Sequence, residues 1–276
     1  MAPFRFVNTR FTELFMFFCP LCSGSSGNSS FLEAGGTRIL IDAGLSAKRI
    51  AELLEEIGID ISTIGAILVT HEHSDHISGI GVLSKKYRIP VYANAECFNA
   101  MPKTARDRIP ASCIRLFDTD HLFFLSGLQV LPFSTPHDAA RSVGFSFLSE
   151  GCKCTVMTDI GHIDERMLSI AADSDLLLIE ANHDVDMLLA GSYPYHLKKR
   201  ILSGRGHLCN EDCAGALIAL HERGVRNVIL GHLSKENNSP ELAKVTIDSA
   251  LQEAGIHDMN IMIANRDHPL GMFRIS

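Results

Sequence analysis

Three histidines and one aspartate occupy six consecutive residues of this chain, in the segment His71-Glu72-His73-Ser74-Asp75-His76. Imidazole and carboxylate groups are common ligands of zinc, manganese and iron. The segment follows Ala66 to Val69, an apolar run typical of a buried strand. On a regular strand His71, His73 and Asp75 would share one face, and at a strand end they can converge. His76 then points differently and can serve a second metal. Unrelated surface residues rarely cluster directly after a buried strand, so the segment predicts a metal site.

Further candidate ligands follow other apolar runs of the sequence. Sites in layered α/β folds collect at strand ends, where loops converge. Each residue alone also fits a turn aspartate or a capped histidine, but together with the first cluster they favour a metal centre. These candidates are Asp42, His137, Asp159 and His232.

Such a centre would favour hydrolysis. Divalent cations keep an excess of positive charge over the carboxylates that ligate them, which attracts hydroxide or phosphate. A metal-bound water ionises near neutral pH and supplies a nucleophile, and a cation pair can stabilise a developing phosphoryl charge. Asp75 could orient the nucleophile while it ligates. These residue types do not separate carbonyl from phosphoryl substrates.

The surrounding pattern predicts one α/β domain in which sheets lie between helices. Apolar residues at Ile50, Leu53, Leu54 and Ile57 predict a helix over Ser46 to Ile57, and Asn210-Glu211-Asp212 and Ser239-Pro240 predict the starts of two more. Strands are predicted at Phe15–Leu21, Arg38–Ile41, Ala66–Val69, Val91–Ala93, Leu128–Phe133, Val143–Leu148, Thr155–Met157, Leu176–Ile179, Asn227–Leu230, Ile261–Ala264 and Met272–Ile275.

Composition limits the possible partners. A net charge of −7 provides no domain-wide basic field for nucleic acid, which would need a local basic patch or the metals themselves. The eight cysteines favour reduced, buried thiols over a zinc ribbon. No apolar run reaches the roughly 18 residues of a membrane helix, so we expect a soluble, cytoplasmic protein without a membrane partner. Residues 1–12 are expected to be a loose extension.

The segment His71 to His76 resembles the H-x-H-x-D-H signature of the metallo-β-lactamase superfamily. The resemblance covers nearly the whole chain and implies an αββα sandwich over residues 13–276. It implies His71, His73 and His137 on a first metal. It further implies Asp75, His76 and His232 on a second metal, with Asp159 bridging both. Asp42 would support the histidine loop without ligating.

Other segments resemble the YycJ/WalJ branch of that superfamily, which implies an exonuclease acting on DNA. The likeness rests on the segments 23–29, 40–46, 180–184, 198–210 and 232–238. One departure is Cys209, where that branch is expected to carry serine. A large inserted domain of the β-CASP nuclease type has no room in 276 residues.

Several residues bear on the substrate. The segment Ser23 to Ser29 is either a hairpin turn or a phosphate cradle, in which Ser25, Ser26 and Asn28 would contact substrate. His183 and His207 are either capped histidines or phosphate contacts, and His207 could donate a proton to the leaving group. Lys198, Lys199, Arg200 and Arg205 form either a solvated helix face or a strand-tracking patch.

The leading hypothesis is a dinuclear phosphodiesterase that acts on nucleic acid. The alternative is a small-molecule hydrolase of the same fold, such as a thioesterase or a cyclic-nucleotide phosphodiesterase, which the acidic charge favours. A redox protein with iron at the same ligands and a non-enzymatic metal sensor are further alternatives. The sequence leaves open metal identity (Zn, Mn or Fe), DNA against RNA, cleavage polarity and oligomeric state.

Overall fold

The computed structural model describes residues 15–276. The expected extension, residues 1–12, lies outside the described residues, and a single domain over 13–276 stays a prediction. The strands are β1 (Met16–Cys22), β2 (Ser29–Ala34), β3 (Thr37–Ile41), β4 (Ala66–Leu68), β5 (Val91–Ala93), β6 (Ile114–Leu116), β7 (Phe123–Leu125), β8 (Leu128–Ser134), β9 (Val143–Ser149), β10 (Cys152–Met157), β11 (Leu176–Glu180), β12 (Asn227–Gly231), β13 (Asn260–Ile263) and β14 (Phe273–Ile275).

The helices lie mostly between strands of the same sheet. Within residues 15–276 no helix is long and apolar enough to cross a membrane. The α-helices are α1 (Ala47–Glu56), α2 (Ser74–Ile77), α3 (Ile80–Tyr87), α4 (Ala95–Ala100), α5 (Lys103–Arg106), α6 (Glu165–Ala171), α7 (Val185–Ala190), α8 (Tyr195–Ile201), α9 (Asn210–His221) and α10 (Pro240–Glu253).

The strands form two mixed sheets of seven strands each. The first has the order β14-β1-β2-β3-β4-β5-β6, and the second has the order β13-β12-β11-β10-β9-β8-β7. In the first sheet β3, β4, β5 and β6 are parallel, and in the second β10, β11, β12 and β13 are parallel. In each sheet the remaining strands pair antiparallel.

Three apolar layers hold the two sheets and the helices together. The central layer lies between the sheets and includes Phe18 and Leu68 from the first sheet, and Phe145 and Leu178 from the second. One outer layer packs α1 and α3 on the first sheet. The other packs α6, α9 and α10 on the second sheet. This arrangement is the predicted αββα sandwich.

The direction of the strands explains why the candidate ligands meet. Strand β8 is antiparallel to β9, and β9 is antiparallel to β10, so β8 runs in the same direction as β10, β11 and β12. Their carboxyl ends therefore share one edge of the second sheet. In the first sheet β3 and β4 also end side by side. The polar residues that follow these strands are brought together at the edge of the sandwich.

The structure refines two local predictions. Strand β4 ends at Leu68, so His71 and His73 lie in a loop and Asp75 and His76 lie in the short helix α2. These residues converge beyond the strand end, which was one of the two predicted arrangements, and they do not share a strand face. The N-cap of α9 is Cys209, whose Sγ accepts from the backbone N–H of Asp212 at 3.4 Å. The thiol thus fills the capping position for which the branch is expected to carry serine.

Candidate metal centre

The carboxylate of Asp42 binds the histidine loop through hydrogen bonds. Its Oδ1 accepts from the backbone N–H of Thr70 at 2.8 Å, and its Oδ2 accepts from the Thr70 hydroxyl at 2.8 Å. The same Oδ2 lies 2.8 Å from Nδ1 of His76. Because Nδ1 of His76 is engaged in this way, its Nε2 faces the centre of the cluster. Asp42 therefore contacts both the histidine loop and one candidate ligand, and its supporting role in a metal site stays a prediction.

Backbone hydrogen bonds join three segments around that loop. The backbone N–H of Asn28 donates to the carbonyl of Asp75 at 2.8 Å, and Gly44 donates to the carbonyl of Asn28 at 2.9 Å. A Cβ at Gly44 would lie 1.6 Å from the Asp75 carbonyl oxygen. Only glycine fits this crossing, so Gly44 lets the Ser23–Ser29 segment reach the candidate ligands.

His137 reaches the cluster from the end of β8. Its Nδ1 lies 3.1 Å from the carbonyl oxygen of Gly206, which directs Nε2 toward the centre. Arg205 donates from Nε and Nη2 to the His137 carbonyl at 3.0 and 2.8 Å. The ring of His137 lies 5.0 Å from that of His71, centroid to centroid. The loop that contains Arg205 and Gly206, distant in sequence, thus fixes the position of His137.

Asp159 and His232 follow β10 and β12 with backbone φ angles of 56° and 55°. Asp42 after β3 has a φ angle of 61°. L-residues other than glycine rarely adopt this left-handed region, and it concentrates at functional sites. In each case the conformation turns the chain sharply at the strand end and directs the side chain toward the edge of the sandwich.

Glu180 is a site residue that the sequence analysis did not single out. It is fully buried, and its Oε1 lies 2.8 Å from Nδ1 of both His207 and His232. Its Oε2 accepts from the backbone N–H groups of Ile160 and Leu208 at 2.9 and 3.3 Å. One carboxylate therefore orients two histidines at once. The available signal was its position as a carboxylate at the end of a buried apolar strand.

Among the described residues the candidate ligands form four overlapping groups. Two of them match the sets that the resemblance implies, and the other two are His71, His76 and Asp159, and Asp159, Glu180, His207 and His232. His71, His73 and His137 each offer a ring nitrogen within 4.8 Å of the others, and so do the ligand atoms of Asp75, His76 and His232. Asp159 lies between the sets, with Oδ2 at 3.3 Å from Nε2 of His76 and Oδ1 at 3.9 Å from Nε2 of His137.

Three buried polar atoms of this cluster have no hydrogen-bond partner within residues 15–276, and a bound cation would satisfy them. Nε2 of His137, Nε2 of His232 and Oδ2 of Asp159 are buried without a hydrogen bond among the described residues. Buried polar atoms are otherwise almost always satisfied. Nitrogen and carboxylate donors around a shared centre form a divalent-metal site, so the donor set fits the group that the fold implies.

The charges of the cluster are strongly coupled. Burial opposes the imidazolium form of His76, but Asp159 and Asp42 outweigh it and raise the pKa of His76 to about 9. Burial likewise opposes the charged form of His232, yet Asp159, Asp75 and Glu180 raise its pKa well above the usual value. Burial raises the pKa of the Asp75 carboxyl, but His232 and His76 outweigh it and lower that pKa.

A cavity of about 170 Å³ opens beside the cluster. His207 lines it, with Nδ1 held by Glu180, and Ser25 lines it from the Ser23–Ser29 segment. The remaining lining residues are Asp138, Asn182, Tyr193, Leu197, Arg200, Ile201, Gly206 and Ser234. The cavity therefore joins the candidate metal ligands to residues of the predicted substrate segments.

The other predicted substrate contacts occupy different places. Ser26 is exposed in the loop next to Ser25. Nδ2 of Asn28 lies 3.1 Å from Nε2 of His76 and 3.4 Å from Oδ2 of Asp75, so it contacts candidate ligands. His183 is 1% exposed, and neither ring nitrogen has a hydrogen-bond partner among the described residues. Burial lowers the pKa of His183 to about 4. Substrate contact by His183 would require the loops around it to open.

The basic run at 198–205 is largely engaged within the protein. Lys198 Nζ donates to the carbonyls of Leu189 and Gly191 at 2.6 and 2.7 Å. Arg200 pairs with Asp138, and Arg205 holds the His137 carbonyl. These side chains position α7, α8 and the loop of His137, which leaves Lys199 as the member of this run with no side-chain partner among the described residues.

Two mixed sheets enclosed by helices, with a histidine and carboxylate cluster at the strand ends, define a metallo-β-lactamase-fold protein. A family model described as a beta-lactamase superfamily domain matches residues 37–233, and the chain belongs to that superfamily.

Within the superfamily the chain is similar to two curated bacterial proteins. It is 42% identical over 237 residues to exodeoxyribonuclease WalJ of Streptococcus pneumoniae, covering 86% of this chain and 88% of that protein. It is 39% identical over 238 residues to exodeoxyribonuclease YycJ of Bacillus anthracis, covering 86% of this chain and 90% of that protein. The predicted kinship with the YycJ/WalJ branch is confirmed.

A solved structure shows the same fold at low identity. The metallo-beta-lactamase fold protein YhfI from Bacillus subtilis superposes with a TM-score of 0.71 and 16% identity. The match covers 94% of this chain and 99% of that protein. At this identity the likeness supports the architecture and nothing about the substrate.

Proposed function

We propose that the protein is a dinuclear-metal-dependent exonuclease that hydrolyses phosphodiester bonds of DNA. The observation that carries the proposal is the pair of ligand sets, three histidines on one side and Asp75, His76 and His232 on the other, with Asp159 between them. The similarity to proteins named as exodeoxyribonucleases supports phosphodiester over thioester as the substrate.

Each set would hold one divalent cation, either Zn, Mn or Fe. When bound, such cations polarise a phosphoryl oxygen and lower the pKa of water. His71 and His137 offer neutral imidazole nitrogens, because burial lowers the pKa of both, and His73 would complete the set. Asp75 and Asp159 supply the negative charge, with Asp159 placed to serve both cations.

Asp75 orients the attacking water in this proposal. Its side chain is 23% exposed, whereas that of Asp159 is 3% exposed. Asp75 is therefore the carboxylate of the cluster that solvent and substrate can reach. The Asn28 amide and the His232 imidazole lie 3.4 and 3.7 Å from its Oδ2 and hold it in place.

His207 donates a proton to the departing oxygen. Its Nδ1 is bound to Glu180 and its ring lines the cavity, so the free Nε2 faces the position of a substrate. Burial opposes its charged form, but the Glu180 carboxylate outweighs that effect and raises the pKa of His207. A raised pKa keeps a proton available near neutral pH, as a general acid requires.

The substrate would enter through the cavity of about 170 Å³, with Ser25 and Ser26 contacting phosphate oxygens. Their hydroxyls are uncharged donors, which suits a chain of net charge −7. A cytoplasmic location belongs to the same proposal, because all eight cysteines are unpaired and buried, as expected in a reducing compartment.

The test is incubation of metal-loaded protein with end-labelled DNA and RNA, and in parallel with a thioester and a cyclic nucleotide. We expect mononucleotides to be released from one end of DNA, and His207→Ala to slow release at least about 100-fold. His196→Ala provides the matched control, since that histidine lies outside the cluster on α8. Rapid turnover of the thioester with no cleavage of either polymer would overturn the proposal.

A further inference from the structure

Positive charge is concentrated in one part of this acidic chain. Residues 80–117 contain seven basic and two acidic residues, although the chain has a net charge of −7. The segment forms α3, β5, α4, α5 and β6 at one end of the first sheet and the helices over it. We name its cationic residues the basic face: Lys85, Lys86, Arg88, Lys103, Arg106, Arg108 and Arg115.

Three cations of the basic face share one cleft. Lys85, Lys86 and Arg108 line one open cleft of about 580 Å³ between α3 and α5. The two helices approach closely at Gly81, where a Cβ would lie 2.6 Å from the carbonyl oxygen of Ala105. This close packing brings cations from two segments to the same groove.

Arg88 and Arg115, two further cations of the basic face, both donate hydrogen bonds to Ser112. Arg88 Nη2 donates to the Ser112 hydroxyl at 2.7 Å, and Arg115 Nη1 donates to the Ser112 carbonyl at 2.9 Å. Arg88 follows Lys86 by two residues at the end of α3, with a left-handed φ of 60°. The positive surface thus extends from the cleft around the end of α3.

Little of this charge is neutralised by the protein. Among the described residues, the one ion pair of the basic face joins Arg106 to Asp107 at 3.5 Å. Lys85, Lys86 and Arg108 are exposed and have no carboxylate partner in this part of the chain. Unpaired like charges around a groove repel one another, and a ligand that carries several anionic groups relieves that repulsion.

Helix α3 starts next to the candidate metal centre and carries Lys85 and Lys86 in its last turn. The backbone N–H of Ala43 donates to the His76 carbonyl at 2.9 Å, and Gly79, at the start of α3, donates to the Ala43 carbonyl at 2.8 Å. Lys85 lies five residues into that helix, or about 7.5 Å along its axis. Phosphates follow one another at about 3.4 Å per nucleotide along a duplex strand, so a few nucleotides span the distance.

We propose that the basic face binds the phosphate backbone of the nucleic acid that continues beyond the bond being cleaved. The inference rests on the proposed nuclease function and adds the surface that retains the polymer. It also supplies the local basic patch that an acidic protein needs for such a ligand. The basic run at 198–205 is a poorer candidate, because Lys198, Arg200 and Arg205 are engaged with the protein.

The test compares K85E/K86E with the wild type for binding of a fluorescent 40-base-pair DNA, measured by anisotropy without turnover metal. We expect Kd to rise about tenfold, and the slope of log Kd against log salt concentration to fall by roughly two, one counterion for each lost phosphate contact. Hydrolysis of bis(p-nitrophenyl) phosphate by the metal-loaded variant should stay at the wild-type rate, because neither lysine is near the ligands.

R223E/K244E is the matched control, with the same change of net charge just after α9 and on α10, the helices that cover the second sheet. Its DNA affinity should stay within about twofold of wild type, since its cations are already paired with Glu165 and Asp248. Equal losses in both variants would overturn the proposal, because net charge alone would then explain them. Unchanged affinity and salt slope in K85E/K86E would overturn it as well.

Charge reversal at the end of α3 could unfold that helix, so K85Q/K86Q is measured beside it, with circular dichroism on both. The glutamine variant should show the same change of slope with a smaller rise in Kd, and a slope equal to that of wild type would overturn the proposal. Failure of the nuclease function is separately visible, as wild-type protein that binds DNA but cleaves neither DNA nor the small diester.

Discussion

Nδ1 of His232 lies 2.8 Å from Oε1 of Glu180, and both side chains are buried at the ends of neighbouring parallel strands. The same oxygen lies 2.8 Å from Nδ1 of His207. Glu180 therefore fixes the ring orientation of one candidate ligand and of the candidate proton donor. A single carboxylate links metal binding to proton transfer in this site.

Glu180→Gln should weaken metal binding about 10- to 100-fold, because it removes the anionic acceptor that orients His232. It should also lower the pKa of His207, since the Glu180 carboxylate is what raises that pKa. Metal affinity is measured with a competing chelator, and the pKa from the pH profile of kcat. Glu241→Gln, in the first turn of α10, is the control. Equal metal affinities for Glu180→Gln and wild type would contradict this role.

Asp75→Ala should abolish hydrolysis and reduce metal content from two cations to about one, while the fold persists. The side chain is partly exposed and offers a ligand to the second set, so its removal leaves the apolar layers intact. Metal content is measured by mass spectrometry after dialysis, and folding by circular dichroism. Asp248→Ala on α10 serves as the control. Full turnover by Asp75→Ala with two metals bound would refute the assignment.

Metal affinity should increase as pH rises from 6 toward 9. In the metal-free protein neighbouring carboxylates raise the pKa of His76 to about 9 and that of His232 further above its usual value. A cation must displace these protons, so binding releases protons and is weaker at lower pH. Calorimetry in buffers of different ionisation enthalpy counts the protons released. Binding without proton release at pH 7 would show that these histidines are already neutral.

Gly44→Ala should lower the free energy of unfolding by about 3 kcal/mol and impair metal binding. Its Cβ would lie 1.6 Å from the Asp75 carbonyl oxygen and 2.6 Å from the Asn28 nitrogen, and both are backbone atoms. Gly215→Ala within α9 is the matched control, because nothing lies within 4 Å of its Cβ and alanine favours a helix. Urea denaturation compares the two. Equal stability of the two variants would show that the crossing can relax.

The sequence allowed the sandwich and most candidate ligands to be predicted, because both depend on local patterns. Apolar runs such as Leu176–Ile179 identified buried strands, and polar residues at their ends identified the site. The path from Val69 to His76 was not predictable in this way, since Asp42 draws the loop off the strand through Thr70 and His76. Asp42 lies 28 positions before Thr70 and 34 positions before His76, so no local pattern could reveal these contacts.

Glu180 and the basic face were missed for a related reason. Glu180 gains its role from His207 and His232, 27 and 52 positions away. Lys85 and Arg108 share a cleft only because α3 and α5 pack at Gly81. The basic run at 198–205 was visible in the sequence, but carbonyl and carboxylate groups of the protein bind most of its side chains. Tertiary contacts decide which charges remain available.

The central claim is that one cluster holds two cations in the two ligand sets around Asp159. Anomalous diffraction from crystals of metal-loaded protein tests it most directly. The account predicts two peaks roughly 3.5–4 Å apart. One should lie about 2 Å from nitrogens of His71, His73 and His137, and the other about 2 Å from ligand atoms of Asp75, His76 and His232. A single peak at full metal loading, or peaks away from these residues, would contradict it.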